Sequence, residues 1–406
     1  MPWHAEEPQQ QHETSQQEQA ETASEEALPS RPRFFTPREV ARLQGFPESF
    51  LIDGPNENRW YHQCGNAVCP GVVAKIAKTM LAALTLPAES TQSTQSHEPR
   101  SAEEQPLRAV EFFAGLGGWS CALKQPSAGG ANRLPPVEVV AAYEVDRVCC
   151  DVFAHNHGLR PSNQSIETLD AAALSAHRAD LWVLSPPCQP FTRGGSAKVR
   201  DDGDNRSAAL LRLLQVLGEM DAPPAYWLME NVAGFCGTNS WRRMHAVLSS
   251  LGYCVEEYLL CPSELLGVPN IRLRYYCVAT LRGVAADGCS APTTSSADMG
   301  QAGDAHIPRE LPSASSAAGA SPKPLSHYLE RDAVVHAEAA IDVQALFSKA
   351  PTFRFEIVRG DAMLTSCFTK SCKIVILSRF VALSVSLTQK VSLFQTPRGS
   401  CVRERC

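Results

Sequence analysis

The sequence predicts an α/β fold, a doubly wound and mostly parallel sheet with a smaller module attached. Three observations predict it. Between residues 108 and 281, short apolar runs (Arg108–Phe113, Val137–Tyr143, Leu181–Ser185, Tyr226–Met229 and Arg274–Ala279) alternate with helical segments such as Ala208–Leu217. Strands that return through helices are parallel, because the crossover must pass over one face of the sheet. The first run ends in FFAGLGGW, with Gly115, Gly117 and Gly118 placed to turn the chain sharply at a strand's carboxyl end. The chain has 406 residues, 44% hydrophobic and 20% charged, which fits two or three globular domains.

In chain order, residues 1–32 form an acidic and glutamine-rich tail: the first thirty carry seven Glu and six Gln without a Lys or Arg. Such a segment buries too little apolar surface to offset its ordering entropy and is expected to be disordered. Residues 33–84 hold two helices. In TPREVARLQGFPESF, Thr36 is the expected N-cap, Pro37 the first turn, and Gly45 and Pro47 the stop. In the second, Val72, Val73, Ile76, Met80, Leu81 and Leu84 recur at helical spacing. Residues 85–107 read as a linker, 108–281 as the alternating β/α domain, and 282–330 as a low-complexity insertion rich in Ala, Ser, Gly and Pro. A short module at 331–372 contains CFTK, and residues 373–406 carry six Lys or Arg against one Glu with no clear periodicity.

The net charge of −6 excludes a broadly basic nucleic-acid coat, so any nucleic-acid groove must be local. The chain opens without a basic segment followed by an apolar run, so no secretory signal is expected. The apolar stretch Val375–Leu387 is too short for a bilayer and contains Arg379. Fifteen cysteines, an odd number with no C-x-x-C pair, predict free thiols in a reducing compartment and no metal site. Cytoplasm or nucleus is the expected location, and a monomer the expected state.

The glycine turn alone is compatible with a purely structural role. The second strand, however, ends in AAYEVD, where Glu144 can accept hydrogen bonds from a ribose diol or stand as a solvated strand end. Together the two features point to an adenosine-type cofactor, while the missing G-x-G-x-x-G spacing lowers a dinucleotide reading. The third strand runs into SPPCQPFTRGG. Two prolines there rigidify a turn that presents Cys188 to the ligand crevice, whereas the other cysteines read as small buried hydrophobes. The polar stretch that follows, RGGSAKVRDDGDNR, has the composition of a lid.

FFAGLGGW, SPPCQPFT, MENV and RLRYY, in that order, resemble the cytosine C5-methyltransferase family, and SPPCQPFTRGG with Cys367–Lys370 resembles its small tRNA-directed eukaryotic members. The resemblance implies a Rossmann-like, S-adenosylmethionine-dependent methyltransferase fold with a target-recognition module. It implies that Cys188 is the nucleophile that adds to C6 of cytosine, that Glu230 donates a proton near N3, and that Arg272 and Arg274, two apart on a strand, reach into one cleft. Cofactor contacts are implied for Phe113, Ala114, Gly115, Gly117, Gly118, Trp119, Glu144, Val145, Ser165, Ile166 and Pro186, and substrate contacts for Gln189, Thr192, Arg193, Cys367, Phe368, Thr369 and Lys370. Ser165 stands where the family has an aspartate against the adenine amine.

One departure concerns order. TPREVARLQGFPESF and QCGNAVCPGVVAKIA resemble the family's last two motifs, yet here they precede the rest. Gly65, Asn66 and Val68 match positions that complete the cofactor pocket. A circular permutation accounts for this, since the linker at 85–107 can span the gap between the closing helix and the first strand. The alternative is a join of unrelated segments, and residues 373–406 lack the glycine-rich continuation expected after CFTK. The implied substrate is tRNA, with DNA as the alternative, reached by flipping the base out of its stack. A catalytically silent nucleic-acid binder is the reading from a different class. Retention of Cys188, Glu230, Arg272 and Arg274 together argues against it.

Overall fold

The computed structural model describes residues 33–52, 57–84, 105–124, 136–192, 201–282, 307–312, 321–330, 356–367 and 374–377. It divides into two compact units. The expected tail at 1–32, most of the linker at 85–107 and most of 373–406 lie outside the described residues.

The smaller unit has a three-stranded sheet ordered β1 (Arg33–Phe34), β9 (Ile374–Leu377), β8 (Glu356–Arg359), antiparallel then parallel.

The larger unit carries a six-stranded sheet of β2 (Leu107–Phe112), β3 (Val137–Tyr143), β4 (Leu181–Leu184), β5 (Tyr226–Val232), β6 (Tyr253–Leu260) and β7 (Arg274–Leu281). Their order is β3-β2-β4-β5-β7-β6. The first four are mutually parallel, as the alternation predicts, and β7 runs antiparallel to both neighbours. The chain leaves β2 toward β3 and then crosses back to β4 on β2's other side. That reversal opens a crevice above the carboxyl ends of these strands, the place where such sheets bind ligands.

Eight helices among the described residues matter here: α1 (Pro37–Gln44), α2 (Glu57–Asn66), α3 (Pro70–Leu84), α4 (Gly118–Leu123), α5 (Arg147–His157), α6 (Ala171–Ser175), α7 (Ala208–Glu219) and α8 (Asn239–Ser250). Strand pleating divides the core in two. On one face Val110, Phe112, Trp182, Leu184, Trp227 and Met229 pack under α7 and α8. On the other, Ala109, Leu181, Val183 and Leu228 pack under α3 and α4. Helix α3 covers this second face with Val72, Val73, Ile76 and Met80, spaced to form one apolar stripe. Burying each contributes about 1.5–3 kcal/mol, so the segment expected as a permuted closing piece is a structural wall of the sheet. Helix α1 starts as its sequence predicts: the Thr36 side chain accepts from the Glu39 backbone, Glu39 answers in return, and Gly45 closes the helix at φ 89°.

Several boundaries differ from expectation. Strand β5 runs on to Val232, so Glu230 and Asn231 lie inside it rather than beyond its end. Strand β7 begins at Arg274, leaving Arg272 before the strand and removing the same-face argument for the arginine pair. Strand β6 was not foreseen, because Glu256 and Glu257 interrupt its apolar pattern. Part of the expected insertion at 282–330 joins the core: Leu325 is buried, and Pro308 accepts a hydrogen bond from Leu259. Ten described cysteines are free thiols, as expected, but Cys254 is disulfide-bonded, which the expectation of free thiols throughout did not include.

Candidate active site

The loop after β2 turns on positions that suit a close ligand. Phe113 adopts φ 54°, a left-handed conformation rare for a bulky residue and costing about 1–2 kcal/mol. A side-chain carbon on Gly115 would meet open space, whereas one on Gly117 would lie 2.3 Å from the His157 ring and one on Gly118 2.4 Å from Val68. The loop is thus clamped from below and open above. His157 holds it, with Nε2 at 3.3 Å from the Leu116 carbonyl, and burial pushes that imidazole down to about 4, so it is neutral. Ala114 is buried and donates its N–H to the Tyr143 carbonyl.

Glu111, fully buried in β2, supports the start of α4 by accepting from the Ser120 backbone and hydroxyl. Burial pushes its carboxyl up to about 7. Trp119 faces the core, and its indole N–H donates to Ser185 at 2.9 Å, which places it behind the loop rather than over it.

Glu144 follows β3 and accepts from the backbone N–H groups of Gly115 (2.8 Å) and Asp146 (2.7 Å). Each carboxylate oxygen keeps a further lone pair for a hydroxyl. Val145 beside it is 63% exposed, an apolar surface on which a flat ring can lie. Asn163 fixes both residues by donating to the Glu144 and Val145 carbonyls. Ser165 is half-buried and makes no capping bond, while Ile166 is buried. A carboxylate for a diol, an apolar shelf and an open glycine turn fit an adenosine moiety.

Four elements converge next to this pocket. Pro186 and Pro187 carry the chain from β4 to Cys188, which opens a short 3-10 turn, Gln189–Phe191. Asn231 in β5 pins that turn by donating to the Pro186 carbonyl at 3.2 Å. The Gln189 side-chain oxygen is buried without a hydrogen-bond partner, and the Thr192 hydroxyl donates to the Gln189 carbonyl. Glu230 is 7% exposed and meets Arg274 at 3.3 Å. Burial raises its carboxyl above the ordinary range, against the pull of Arg274 and Arg272. Burial and the charge of Glu230 likewise raise the Cys188 thiol, partly offset by the same two arginines.

Arg272 is 2% exposed and donates to the Gly65 and Ala67 carbonyls at 3.0 and 2.8 Å. It therefore ties the arginine pair to the end of α2 instead of projecting freely into the cleft. Of the N-terminal positions expected at the pocket, Gly65 holds this arginine, Val68 supports Gly118 from below, and Asn66 is exposed with its amide 3.3 Å from His62. Cys367 lies against both arginines. Arg193, Phe368, Thr369 and Lys370 lie outside the described residues.

Asn231, Asn163, Glu111 and His157 were not assigned roles from sequence. A signal existed only for Asn231, which sits beside Glu230 in MENV. The others act through contacts that close over long sequence separations. Among the described residues no group of His, Cys, Asp and Glu could hold a metal ion, and no helix is long and apolar enough to cross a membrane.

The chain is 37% identical over 173 residues to a tRNA (cytosine(38)-C(5))-methyltransferase of Spodoptera frugiperda, covering 42% of this chain and 49% of that one. It is 33% identical to a DNA (cytosine-5)-methyltransferase of Dictyostelium discoideum, covering 44% and 45%. The chain thus spans about half the length of the curated relatives it matches. The Dnmt2 methyltransferase structure of S. pombe superposes with a TM-score of 0.47 at 26% identity, covering 65% of this chain and 71% of that one. Residues 3–82 and 107–324 match the family described as C-5 cytosine-specific DNA methylase. The match takes in both the N-terminal helices and the glycine-loop domain, and the chain belongs to that C-5 cytosine-specific methylase family.

Proposed function

We propose that this protein is an S-adenosylmethionine-dependent cytosine C5-methyltransferase that acts on tRNA through a covalent adduct between Cys188 and C6 of the target base. The observation that carries this reading is the convergence of the Cys188 turn, Glu230 and Arg274 at the carboxyl ends of the strands that also carry the glycine loop and Glu144.

When bound, S-adenosylmethionine would supply an electrophilic methyl group, and the glycine loop, Glu144 and Val145 would hold it. C5 of cytosine is a weak nucleophile, so the ring needs activation. Cys188 provides this once its thiol has lost a proton, by adding to C6. Because Cys188 is raised, the thiolate is scarce at rest, and Arg274 and Arg272 favour it when the base arrives. Charge then builds at N3, where Glu230, whose carboxyl burial raises above the ordinary range, is placed to donate. Arg274 holds the Glu230 carboxyl in place at 3.3 Å. Once C5 carries the methyl group, a water molecule takes the C5 proton and the C6–Sγ bond breaks, so that Cys188 leaves as its thiolate. The Gln189 amide, with its unpartnered oxygen, is a candidate for an exocyclic amine of the flipped nucleotide.

The test is covalent trapping. The protein is incubated with S-adenosylmethionine and either tRNA or duplex DNA carrying 5-fluorocytosine, beside Cys188→Ala. Fluorine at C5 blocks the final elimination, so an active enzyme stays attached. A Cys188-dependent adduct with tRNA is expected. An adduct with DNA alone would transfer the reading to DNA, which the Dictyostelium relative's name favours. No adduct with either, in a protein that still binds cofactor, would overturn it.

A further inference from the structure

Two residues before Arg272, the fully buried Asn270 side chain takes part in a ring of hydrogen bonds with chain segments more than two hundred positions away. Its amide nitrogen donates to the Leu43 carbonyl at 3.0 Å and to the Gln44 side-chain oxygen at 3.3 Å. The Gln44 amide, also fully buried at the end of α1, is thereby turned so that its own nitrogen donates to the Cys64 carbonyl at 2.7 Å. Cys64 lies in the last turn of α2, where carbonyls run short of partners within the helix. The next carbonyl, that of Gly65, and the carbonyl of Ala67 accept from Arg272 at 3.0 and 2.8 Å. The circuit runs through Asn270, Gln44, Cys64, Gly65 and Arg272, and the backbone of Ile271 closes it. Each amide nitrogen faces acceptors, so each bond fixes the direction of the next.

Resting on the methyltransferase reading above, we propose that Gln44 and Asn270 are positioning residues: their amide pair sets the last turn of α2 where its carbonyls hold the Arg272 guanidinium in the catalytic cluster. An arginine side chain is long, and its fork is held only by acceptors at fixed places. A helix end alone supplies poor ones, because terminal turns fray. The amide pair removes that freedom by tying α1, α2 and the segment before β7 together at one buried point. The effect reaches the nucleophile through charge, since Arg272 is one of the groups that favour the Cys188 thiolate. Among the described residues, the other charged groups facing Cys188 are Glu230, Arg274 and Arg206. None of those three bonds to Gln44 or Asn270, so loosening the pair acts on Cys188 by way of Arg272.

The test reads Cys188 itself, in the full chain. Iodoacetamide, a neutral reagent, alkylates only the thiolate, and its rate at Cys188 is followed from about pH 6 to about pH 10 by mass spectrometry of that peptide. Wild type is compared with Gln44→Met, Asn270→Leu and Arg272→Met, each confirmed folded by its urea midpoint. Met and Leu keep the size of the side chain and remove the amide. Each amide variant should raise the Cys188 midpoint by about 0.5 pH unit or more, a fall of about threefold in alkylation rate at neutral pH. Methyl transfer should lose at least the same factor in kcat, with KM for nucleic acid and S-adenosylmethionine affinity little changed. Adding Gln44→Met to Arg272→Met should shift the midpoint no further, because the pair acts through that arginine. A midpoint unchanged in both amide variants overturns the proposal, as does a full further shift in the double variant or loss of folding in both amide variants. Should the wild type methylate neither nucleic acid, the functional reading fails while alkylation still decides whether the amides act on Cys188.

Discussion

A methyl group placed on Gly118 tests how firmly the N-terminal segment supports the cofactor loop. The alanine carbon would fall 2.4 Å from Val68 Cγ2 and 3.3 Å from the Val68 carbonyl oxygen. Two carbons are at ease at about 3.5–4.0 Å, so either Val68 or the loop must move by more than about 1 Å. Val68 is buried, and the core formed by Val72, Val73 and Trp119 stands behind it, which leaves little room. Overpacking of this kind costs about 1–3 kcal/mol, and it must also outweigh a helix-propensity gain of up to about 1 kcal/mol from replacing glycine at the start of α4. Val68→Ala alone removes two methyl groups at about 0.8 kcal/mol each, plus the cavity left behind. In the double variant the new methyl enters the vacated space, so the two losses should fall short of their sum by about 1 kcal/mol or more. Urea unfolding of the four proteins at constant m-value measures this. Gly118→Ala costing less than about 0.5 kcal/mol, or the two losses adding fully, would refute the packing described here.

Three further outcomes follow from the site. Glu230→Gln keeps the shape but cannot release and regain a proton, and kcat should fall by about 10²–10⁴ with little change in cofactor affinity, measured by single-turnover methylation. Glu111 has a folded pKa of about 7 against 4.5 for the ordinary group, so it favours the folded state fully below about pH 4.5. That contribution is lost as pH rises from about 4.5 to 7, by about 3 kcal/mol at most. The urea midpoint of Glu111→Gln relative to wild type should therefore rise across this window, and a flat difference would contradict the burial of that carboxyl. Asn231→Ala leaves the buried Pro186 carbonyl without its 3.2 Å donor, costs about 1–3 kcal/mol, and should lower kcat by loosening the Cys188 turn while S-adenosylmethionine affinity holds.

Much of this was legible from local chemistry. The N-cap at Thr36, the stop at Gly45, the glycine turn and the turn after Pro-Pro depend on neighbours in sequence, and the structure has a capped helix and two turns at those places. What escaped depends on partners far along the chain. Strand β6 is held by pairing with β7 and tolerates Glu256 and Glu257, since Glu257 finds Trp241, His245 and Tyr275 as partners from other elements. Arg272 was read as a strand residue two places before Arg274. Its side chain instead follows the carbonyls of Gly65 and Ala67, more than two hundred positions away. The antiparallel course of β7 has no local signature either, because an apolar run reads the same in both directions.

The contact between Val68 and Gly118 has a consequence for how the chain reaches its native state. The two residues are 50 positions apart. Loop-closure entropy grows by about 0.6 kcal/mol for each doubling of the enclosed length, so a wedge encoded after the last strand would meet this loop at a higher entropic cost. During synthesis the order matters as well. The helix that walls the second face leaves the ribosome before the strand it covers, so the glycine loop forms against a partner already made. Shorter contacts also favour faster folding, which predicts that moving residues 33–84 behind residue 281 would slow refolding more than it changes stability.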